Sequence, residues 1–212
     1  WLSGAPPVVK ALPLFGGRLY NPIGKLMTDR DIMNGASACH SYTMAMDEKL
    51  LAEAAKGGAV PILRFYTWAP PAVSLGRFQE IENSVNAAAC RKHGIDIVRR
   101  ITGGRAVLHR RELTYSVISP IDNPLFPHNV LGTYKVIAAG LLGGLVRLGV
   151  PAEMVCRSGK FAEMVKREPK EAACFSSPSW YEILVHGRKI VGSAQRRLAG
   201  AFLQHGSILL DH

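Results

Sequence analysis

The chain has 212 residues, of which 48% are apolar and 20% charged, and it carries a formal net charge of +10. These values are typical of a soluble globular protein with one main core, and the charge favours acidic partners. No apolar run is long enough to span a bilayer, because the best candidate at 136–146 is short and glycine-rich. The first residues lack a basic segment followed by an apolar core, so the sequence predicts neither a membrane span nor a secretory signal.

The N-terminal half of the chain alternates predicted strands and helices after an irregular start. Residues 1–36 are rich in glycine and proline and are predicted to form an irregular arm. One helix is predicted at 36–58, where a glycine pair ends it, and another at 80–94, which has an acidic start and a basic end. Strands are predicted at 59–68, 72–79, 95–100, 106–109 and 112–119.

The C-terminal half begins with a mostly apolar helix, predicted at 129–149. A polar loop at 159–179 is long enough to suggest a functional role, since such loops are uncommon in compact domains. Strands are predicted at 152–156, 180–187, 188–197 and 201–210, the last three as a meander with a tight turn at His186–Gly187. This order predicts an α+β fold, a mainly antiparallel sheet flanked by helices, rather than a parallel βαβ array.

Charge and cysteine usage limit the classes of partner and cofactor. The basic residues are scattered rather than gathered in one block, which argues against nucleic acid and makes an acidic protein at least as good a partner. The seven histidines show no metal spacing such as HExxH, so no metal site is predicted. The wide spacing of the cysteines, without any CxxC, favours free thiols in a reducing cytoplasm; they are Cys39, Cys90, Cys156 and Cys174.

The most distinctive stretch is RRITGGRAVLH at 99–109, where three arginines and a histidine surround a glycine pair. Glycines let the backbone approach a ligand closely, and arginines commonly bind anions. The stretch matches neither the P-loop nor the Rossmann GxGxxG pattern. A sheet corner with solvated arginines is the alternative interpretation of a lone glycine pair.

Cys174 and Lys189 are further candidates for chemistry. Cys174 follows three basic residues in the polar loop, and positive neighbours favour the thiolate, the nucleophilic form; a buried small hydrophobe is the alternative. Lys189 begins an apolar strand beside small residues, which let a ligand approach closely, whereas a solvated turn lysine is the alternative. His109 and His205 are candidates either for acid–base groups or for structural histidines.

Several of these segments together carry a family resemblance. The segments RRITGGRAVLHRRELTYSVI, CFSSPSWYEILVHGRKIVGSAQRR and LQHGSILL resemble the biotin/lipoate A/B protein ligase family, and within it the octanoyltransferases of the LipM type. Two earlier segments, YTMAMDEKLL and YTWAPPAVSLGRFQ, extend the resemblance to about 38–210. It implies a fold like that of class II aminoacyl-tRNA and biotin synthetases, with a catalytic domain at 37–212. Relatives of this type carry a further C-terminal helical part, so we expect a fragment or a shorter variant.

The resemblance also implies roles for individual residues. Cys174 matches the nucleophile that accepts the acyl group in this type of octanoyltransferase, and Lys189 matches a lysine that sits beside the acyl carbonyl. The loop from Arg100 to Gly104 would line a tunnel for a fatty acyl or lipoyl chain. The expected acyl-binding residues are Arg100, Thr102, Gly103, Gly104, Arg105, His109, Gly192, Ser193 and Ala194.

The reaction implied by the resemblance is transfer of an octanoyl group in protein lipoylation, in the cytoplasm. The donor would be octanoyl-acyl carrier protein, and the acceptor a lysine of a lipoyl domain or of the glycine cleavage H protein. Both would be acidic proteins, and a cysteine thioester intermediate would require no cofactor. One alternative is an ATP-dependent lipoate–protein ligase, which would need ATP and Mg. A second is a non-catalytic module that binds an acyl chain or a carrier protein.

Overall fold

The computed structural model describes residues 40–57, 59–155 and 181–210. The helices within these ranges are α1 (His40–Ala54), α2 (Ile81–Ser84), α3 (Ala87–Lys92) and α4 (Val130–Arg147). The strands are β1 (Ile62–Tyr66), β2 (Ala72–Leu75), β3 (Asp96–Arg99), β4 (Val107–His109), β5 (Glu112–Pro120), β6 (Ala152–Val155), β7 (Glu182–Val185), β8 (Arg188–Lys189), β9 (Val191–Leu198) and β10 (Ala201–Leu209).

The main sheet is antiparallel and has the strand order β1-β5-β10-β9. Its central strand β5 is buried along almost its whole length, because helices cover both faces of the sheet. On one face, Leu51 of α1 packs in a cluster with Ile118 and Leu203. On the other face, Leu141 of α4 packs in a cluster with Tyr115. This alternation along β5 fixes the strand register, since a shift of one residue would exchange the two faces.

Two smaller sheets complete the described part of the fold. In the sheet β3-β2-β4, strand β2 pairs with β3 in parallel and with β4 in antiparallel orientation. In the sheet β6-β7-β8, both pairs are antiparallel. The α+β class predicted from the sequence is therefore confirmed, with the β2–β3 pair as the one parallel pair among the described strands.

Two elements differ from the sequence prediction. The helix expected at 80–94 is divided into α2 and α3, because Val85 takes an extended backbone and the Asn86 side chain caps the second helix by accepting from the Ala89 amide at 2.9 Å. The meander expected at 180–210 is also divided between two sheets at Ile190. The Ile190 amide donates to Ile183 in one sheet, and its carbonyl accepts from Leu209 in the other.

Other local predictions are confirmed. The turn at His186–Gly187 has φ of +49° and +74°, the pair of positive values that a type I′ hairpin turn requires. Helix α4 begins after Asn129, whose side chain accepts from the Gly132 amide at 2.7 Å. One expectation is corrected: by length and composition α4 is long and apolar enough to cross a membrane, although core helices of soluble proteins pass the same test. One side of α4, which includes Ile137 and Leu141, is buried against the main sheet.

Candidate active site

A cavity of about 540 Å³, including its open mouth, lies between the main sheet and the loop that joins β3 to β4. Seven of the nine acyl-binding residues expected from the resemblance line it, namely Arg100, Gly103, Gly104, His109, Gly192, Ser193 and Ala194. Thr102 and Arg105 do not line it: Thr102 is buried beneath the loop and Arg105 is exposed. The cavity thus brings together two chain segments that are almost ninety residues apart, and their roles in binding an acyl chain stay predictions.

Arg100 supports the loop of the cavity from within. Arg100 is 6% exposed, and its guanidinium donates to the carbonyl oxygens of Gly103 and Arg105, at 3.0 and 2.7 Å. It also donates to the carbonyl and the hydroxyl oxygen of Ser74, both at 2.9 Å. The charged Arg100 side chain therefore stabilises the conformation of the loop between β3 and β4, which contains Gly103 and Gly104 and is called the glycine loop below. The sequence analysis considered arginines here only as anion-binding groups and did not predict this role.

Glycine is required at two positions beside the cavity, Gly76 after β2 and Gly104 in the loop. A Cβ on Gly76 would lie 2.0 Å from the carbonyl oxygen of Gly104, a distance that no side chain tolerates. Gly104 itself has a φ of +102°, which disfavours residues with a side chain. The end of β2 and the glycine loop consequently lie against each other, and this contact forms one wall of the cavity.

His109 is held at the cavity in a fixed protonation pattern. Its Nδ1–H donates to Glu112 Oε1 at 2.7 Å, and its Nε2 accepts from the Ser74 hydroxyl at 2.7 Å. Burial lowers the pKa of His109, and the hydrogen bond to Glu112 opposes this effect without cancelling it. The imidazole is therefore neutral near pH 7, and its ring stacks on Trp68 with a centroid distance of 3.9 Å.

Glu112 is the acceptor at the centre of this cluster. It is 2% exposed, and its Oε1 also accepts from the hydroxyls of Thr114 at 2.8 Å and Ser207 at 2.6 Å. The Trp68 indole N–H donates to the Thr114 hydroxyl at 2.7 Å. Glu112 Oε2 is buried without a hydrogen-bond partner. His109, Thr114 and Ser207 all donate to the Glu112 carboxylate. These hydrogen bonds fix the side chains that line this part of the cavity.

A second buried cluster is centred on Asp47 of α1. The carboxylate accepts from Arg64, from the Ser116 hydroxyl at 2.8 Å and from His205 Nδ1 at 3.1 Å. His205 Nε2 in turn accepts from the Thr102 hydroxyl at 2.7 Å. Burial alone would raise the pKa of Asp47, but the hydrogen bond from His205 and the Arg64 charge outweigh it, so the pKa lies below its ordinary value.

The wall formed by β9 is anchored through Ser193. The Tyr115 hydroxyl lies 2.6 Å from the Ser193 hydroxyl, and the Tyr134 hydroxyl of α4 donates to the Ser193 carbonyl at 3.2 Å. Burial raises the pKa of Tyr115, so its hydroxyl stays protonated as a hydrogen-bonding group. These contacts fix the small residues Gly192 and Ala194 at the cavity.

Lys189 lies in β8 and forms a buried ion pair with Glu182 of β7. The Lys189 ammonium is 2.8 Å from Glu182 Oε1, and the two side chains are 10% and 8% exposed. This placement excludes the solvated turn lysine that was the alternative interpretation. Lys189 does not itself line the cavity, although it lies three residues before Gly192, which does.

Cys174 lies outside the described residues, as do Cys39, Cys156, the polar loop at 159–179 and the N-terminal arm. Its role as nucleophile stays a prediction. Among the described residues, Cys90 of α3 is a free, half-buried thiol. Within 40–57, 59–155 and 181–210, no group of three or more metal-binding side chains comes together.

The sequence interpretation missed several residues of the site, chiefly Asp47, Glu112 and Glu182. Asp47 interrupts an apolar helix face between Met44 and Leu51, and a charged residue at such a position signals a buried partner. Glu182 is likewise a charged residue at the start of an apolar strand, which signals a buried partner. For Glu112, the only local signal is its position three residues after His109.

Comparison with known proteins identifies the fold and family. The family model of the lipoyl protein ligase A/B catalytic domain matches residues 40–212. The chain is 47% identical over 171 residues to Octanoyltransferase LipM of Geobacillus kaustophilus, and 49% identical over 171 residues to that of Brevibacillus brevis. Each match covers 81% of this chain and 62% of the relative, so the chain spans about three-fifths of the length of these relatives.

A solved structure shares the same architecture. The crystal structure of a lipoate-protein ligase A bound with ATP superposes with a TM-score of 0.63 and 25% sequence identity, and the match covers 82% of this chain and 63% of that one. The resemblance carried by the sequence motifs is thereby confirmed. The chain belongs to the lipoyl protein ligase A/B catalytic domain family.

Proposed function

We propose that this chain is an octanoyltransferase of protein lipoylation. The observation that carries the proposal is the cavity between the glycine loop and β9. Its two sides are formed by Gly103–Gly104 and by Gly192–Ala194, where small residues leave room for an unbranched chain. The relatives of nearly half-identical sequence carry the name of this activity. The donor would be octanoyl-acyl carrier protein, and the acceptor a lysine of a lipoyl domain or of the glycine cleavage H protein.

The proposed reaction has two steps at the same acyl carbon. The Cys174 thiolate attacks the octanoyl thioester, the bond from the carbonyl carbon to the carrier sulfur breaks, and the carrier thiolate leaves and takes up a proton. The acceptor lysine amine then attacks the acyl-enzyme, the bond to Cys174 sulfur breaks, and the nitrogen loses a proton. An amide is more stable than a thioester, so the transfer needs neither ATP nor a metal ion. The reaction would take place in the cytoplasm.

Lys189 would stabilise the negative charge that develops on the acyl carbonyl oxygen. A cation already fixed in place serves this purpose best, because it does not reorganise during the reaction. The ion pair with Glu182 at 2.8 Å supplies such fixation in a site that is nearly buried. Glu182 acts through Lys189, and we treat it as a positioning residue.

Intact mass spectrometry tests the proposal directly. The wild-type chain is mixed with octanoyl-acyl carrier protein in the absence of ATP. The expected result is a mass gain of one octanoyl group, which hydroxylamine reverses and which a lipoyl domain added afterwards removes. A chain that gains no mass under these conditions would contradict the proposed transferase.

The second candidate function is an ATP-dependent lipoate–protein ligase. It is favoured by the structural match to the lipoate-protein ligase A that was solved with ATP. In the same assay, this activity would label the lipoyl domain only when lipoate, ATP and Mg²⁺ are supplied, with AMP as a product. A labelled lipoyl domain from octanoyl-acyl carrier protein alone would exclude the ligase as the main activity.

Replacing Lys189 by alanine is expected to slow acyl-enzyme formation by about a hundredfold, the usual effect of losing one donor to a developing oxyanion. Glu182→Gln is expected to slow it less, because the ammonium keeps a hydrogen-bond acceptor but loses its charged partner. Rapid-quench mass spectrometry measures both rates. Arg188→Ala is the control, since this exposed neighbour lies in the same short strand. A wild-type rate for Lys189→Ala would show that the lysine takes no part.

A further inference from the structure

The turn at 76–79 carries the most exposed large apolar side chain in the described part of the structure. Phe78 is 82% exposed, although an aromatic ring is ordinarily buried. The Arg77 guanidinium lies over the Phe78 ring at 5.4 Å from its centroid. The turn thus presents a paired cation and aromatic ring to solvent. Aromatic residues and arginine are both enriched in protein interfaces relative to the rest of the surface.

Several side chains hold this turn rigid from below. Arg99 donates to the carbonyl oxygens of Gly76, Arg77 and Gln79, at 3.1, 3.2 and 2.7 Å. The Gln79 side chain accepts from the Gly76 amide at 3.0 Å and donates to Ser84 at 3.1 Å. A segment fixed by five hydrogen bonds has little conformational entropy left to lose on binding, so it is prepared for a partner.

The turn adjoins the loop that lines the proposed acyl cavity. The Arg77 amide donates to the Thr102 carbonyl at 2.8 Å, and Gly76 lies against Gly104, which lines the cavity. A protein bound at Phe78 would therefore stand beside the glycine loop. From there a flexible thioester arm could place its acyl chain into the cavity.

The surrounding part of the chain is strongly basic. Residues 76–111 contain eight arginines and lysines against three acidic residues, an excess of five positive charges. The three acidic residues, Glu80, Glu82 and Asp96, are exposed, and so are seven of the eight basic residues; Arg100 is buried. Half of the net charge of +10 thus arises in this segment, which contains the strands β3 and β4 and the short helices α2 and α3. An acidic surface is the complementary partner.

We infer that the turn at 76–79 is the docking surface for an acidic acyl-carrier protein, with Phe78 and Arg77 as its central contacts. The inference rests on the proposed function. We assign the surface to the donor rather than to the acceptor, because the donor must hold its arm at the cavity while a whole acyl chain enters. The acceptor only has to bring one amine to the acyl-enzyme.

A comparison of two octanoyl donors distinguishes an effect on carrier-protein binding from an effect on the acyl-transfer reaction. One is octanoyl-acyl carrier protein, and the other is the octanoyl thioester of N-acetylcysteamine, which has the reactive group but no protein. For Phe78→Ala and Arg77→Glu, the concentration of carrier donor that gives half-maximal acylation is expected to rise by at least about tenfold. The maximal rate and the acylation by the small thioester are expected to match those of the wild type. The effect of Arg77→Glu is expected to shrink at high salt.

Arg147→Glu provides the matched control, since it reverses an exposed arginine at the end of α4, on a helix that packs against β6 and β7. For this variant, the concentration of carrier donor that gives half-maximal acylation is expected to stay within about twofold of the wild-type value. The proposed docking surface would be wrong if wild type, Phe78→Ala and Arg77→Glu all needed the same concentration of carrier donor for half-maximal acylation. The proposal would also be wrong if Phe78→Ala impaired acylation by the small thioester as much as acylation by octanoyl-acyl carrier protein. A wild-type chain acylated by neither donor would instead contradict the proposed function.

Discussion

Replacing Cys174 by alanine is expected to abolish the octanoyl adduct completely, because the proposed first step needs a thiolate at this position. The three basic residues that precede Cys174 in sequence favour the ionised thiol. Alanine supplies no nucleophile, and the remaining residues can at most promote slow hydrolysis of the donor. Intact mass after mixing with octanoyl-acyl carrier protein, followed by digestion to locate the adduct, measures the effect.

Cys90→Ala is the matched control for this experiment. Cys90 is a free thiol in α3, a helix without residues that line the cavity, so its loss is expected to leave the adduct in place. An octanoyl group that persists in Cys174→Ala on another cysteine would show that the nucleophile has been assigned wrongly. Labelling of a lipoyl domain at the wild-type rate by Cys174→Ala would instead favour direct transfer or the ligase.

The sequence predicted the fold where local patterns and global packing agree. The strand β5 and the helices α1 and α4 are rich in apolar residues, and each lies close to its predicted position. The division of the helix at 80–94 was not predicted, because Asn86 is a helix-capping residue inside a segment that is otherwise suited to one helix. The assignment of strands to three sheets depends on pairings between distant residues, which a local pattern does not contain.

The candidate site was predicted only in part for a similar reason. The glycine loop and the Gly192–Ala194 segment were recognised as motifs, and the structure places them around one cavity. The supporting contacts were not predicted, since they join residues far apart in sequence. The pair of Asp47 and His205 is separated by 158 positions, and the pair of Thr102 and His205 by 103. Such pairs form where α1 and the loop after β3 pack against β10, an arrangement that only the folded chain fixes.

Replacing Asp47 by asparagine is expected to lower the free energy of unfolding by about 3 kcal/mol at pH 7, because it leaves the Arg64 charge without its buried partner. The loss should depend on pH. The pKa of Asp47 lies below its unfolded value of 3.8, so the carboxylate stabilises the fold fully above that pH. Its contribution disappears as the pH falls through the lower pKa of the folded state, and the variant should then approach the wild type in stability.

Urea unfolding of the wild type and of Asp47→Asn, from pH 7 down to pH 3, measures this difference. Asp122→Asn makes the same chemical change at an exposed position and is expected to leave stability within about 0.5 kcal/mol of the wild type. A constant difference between wild type and Asp47→Asn across the whole range would show that the carboxylate charge does not matter. The same substitution also removes the acceptor of His205 Nδ1, and His205 lines the cavity. Loss of stability and loss of a defined cavity wall should therefore occur together, because one buried carboxylate maintains both.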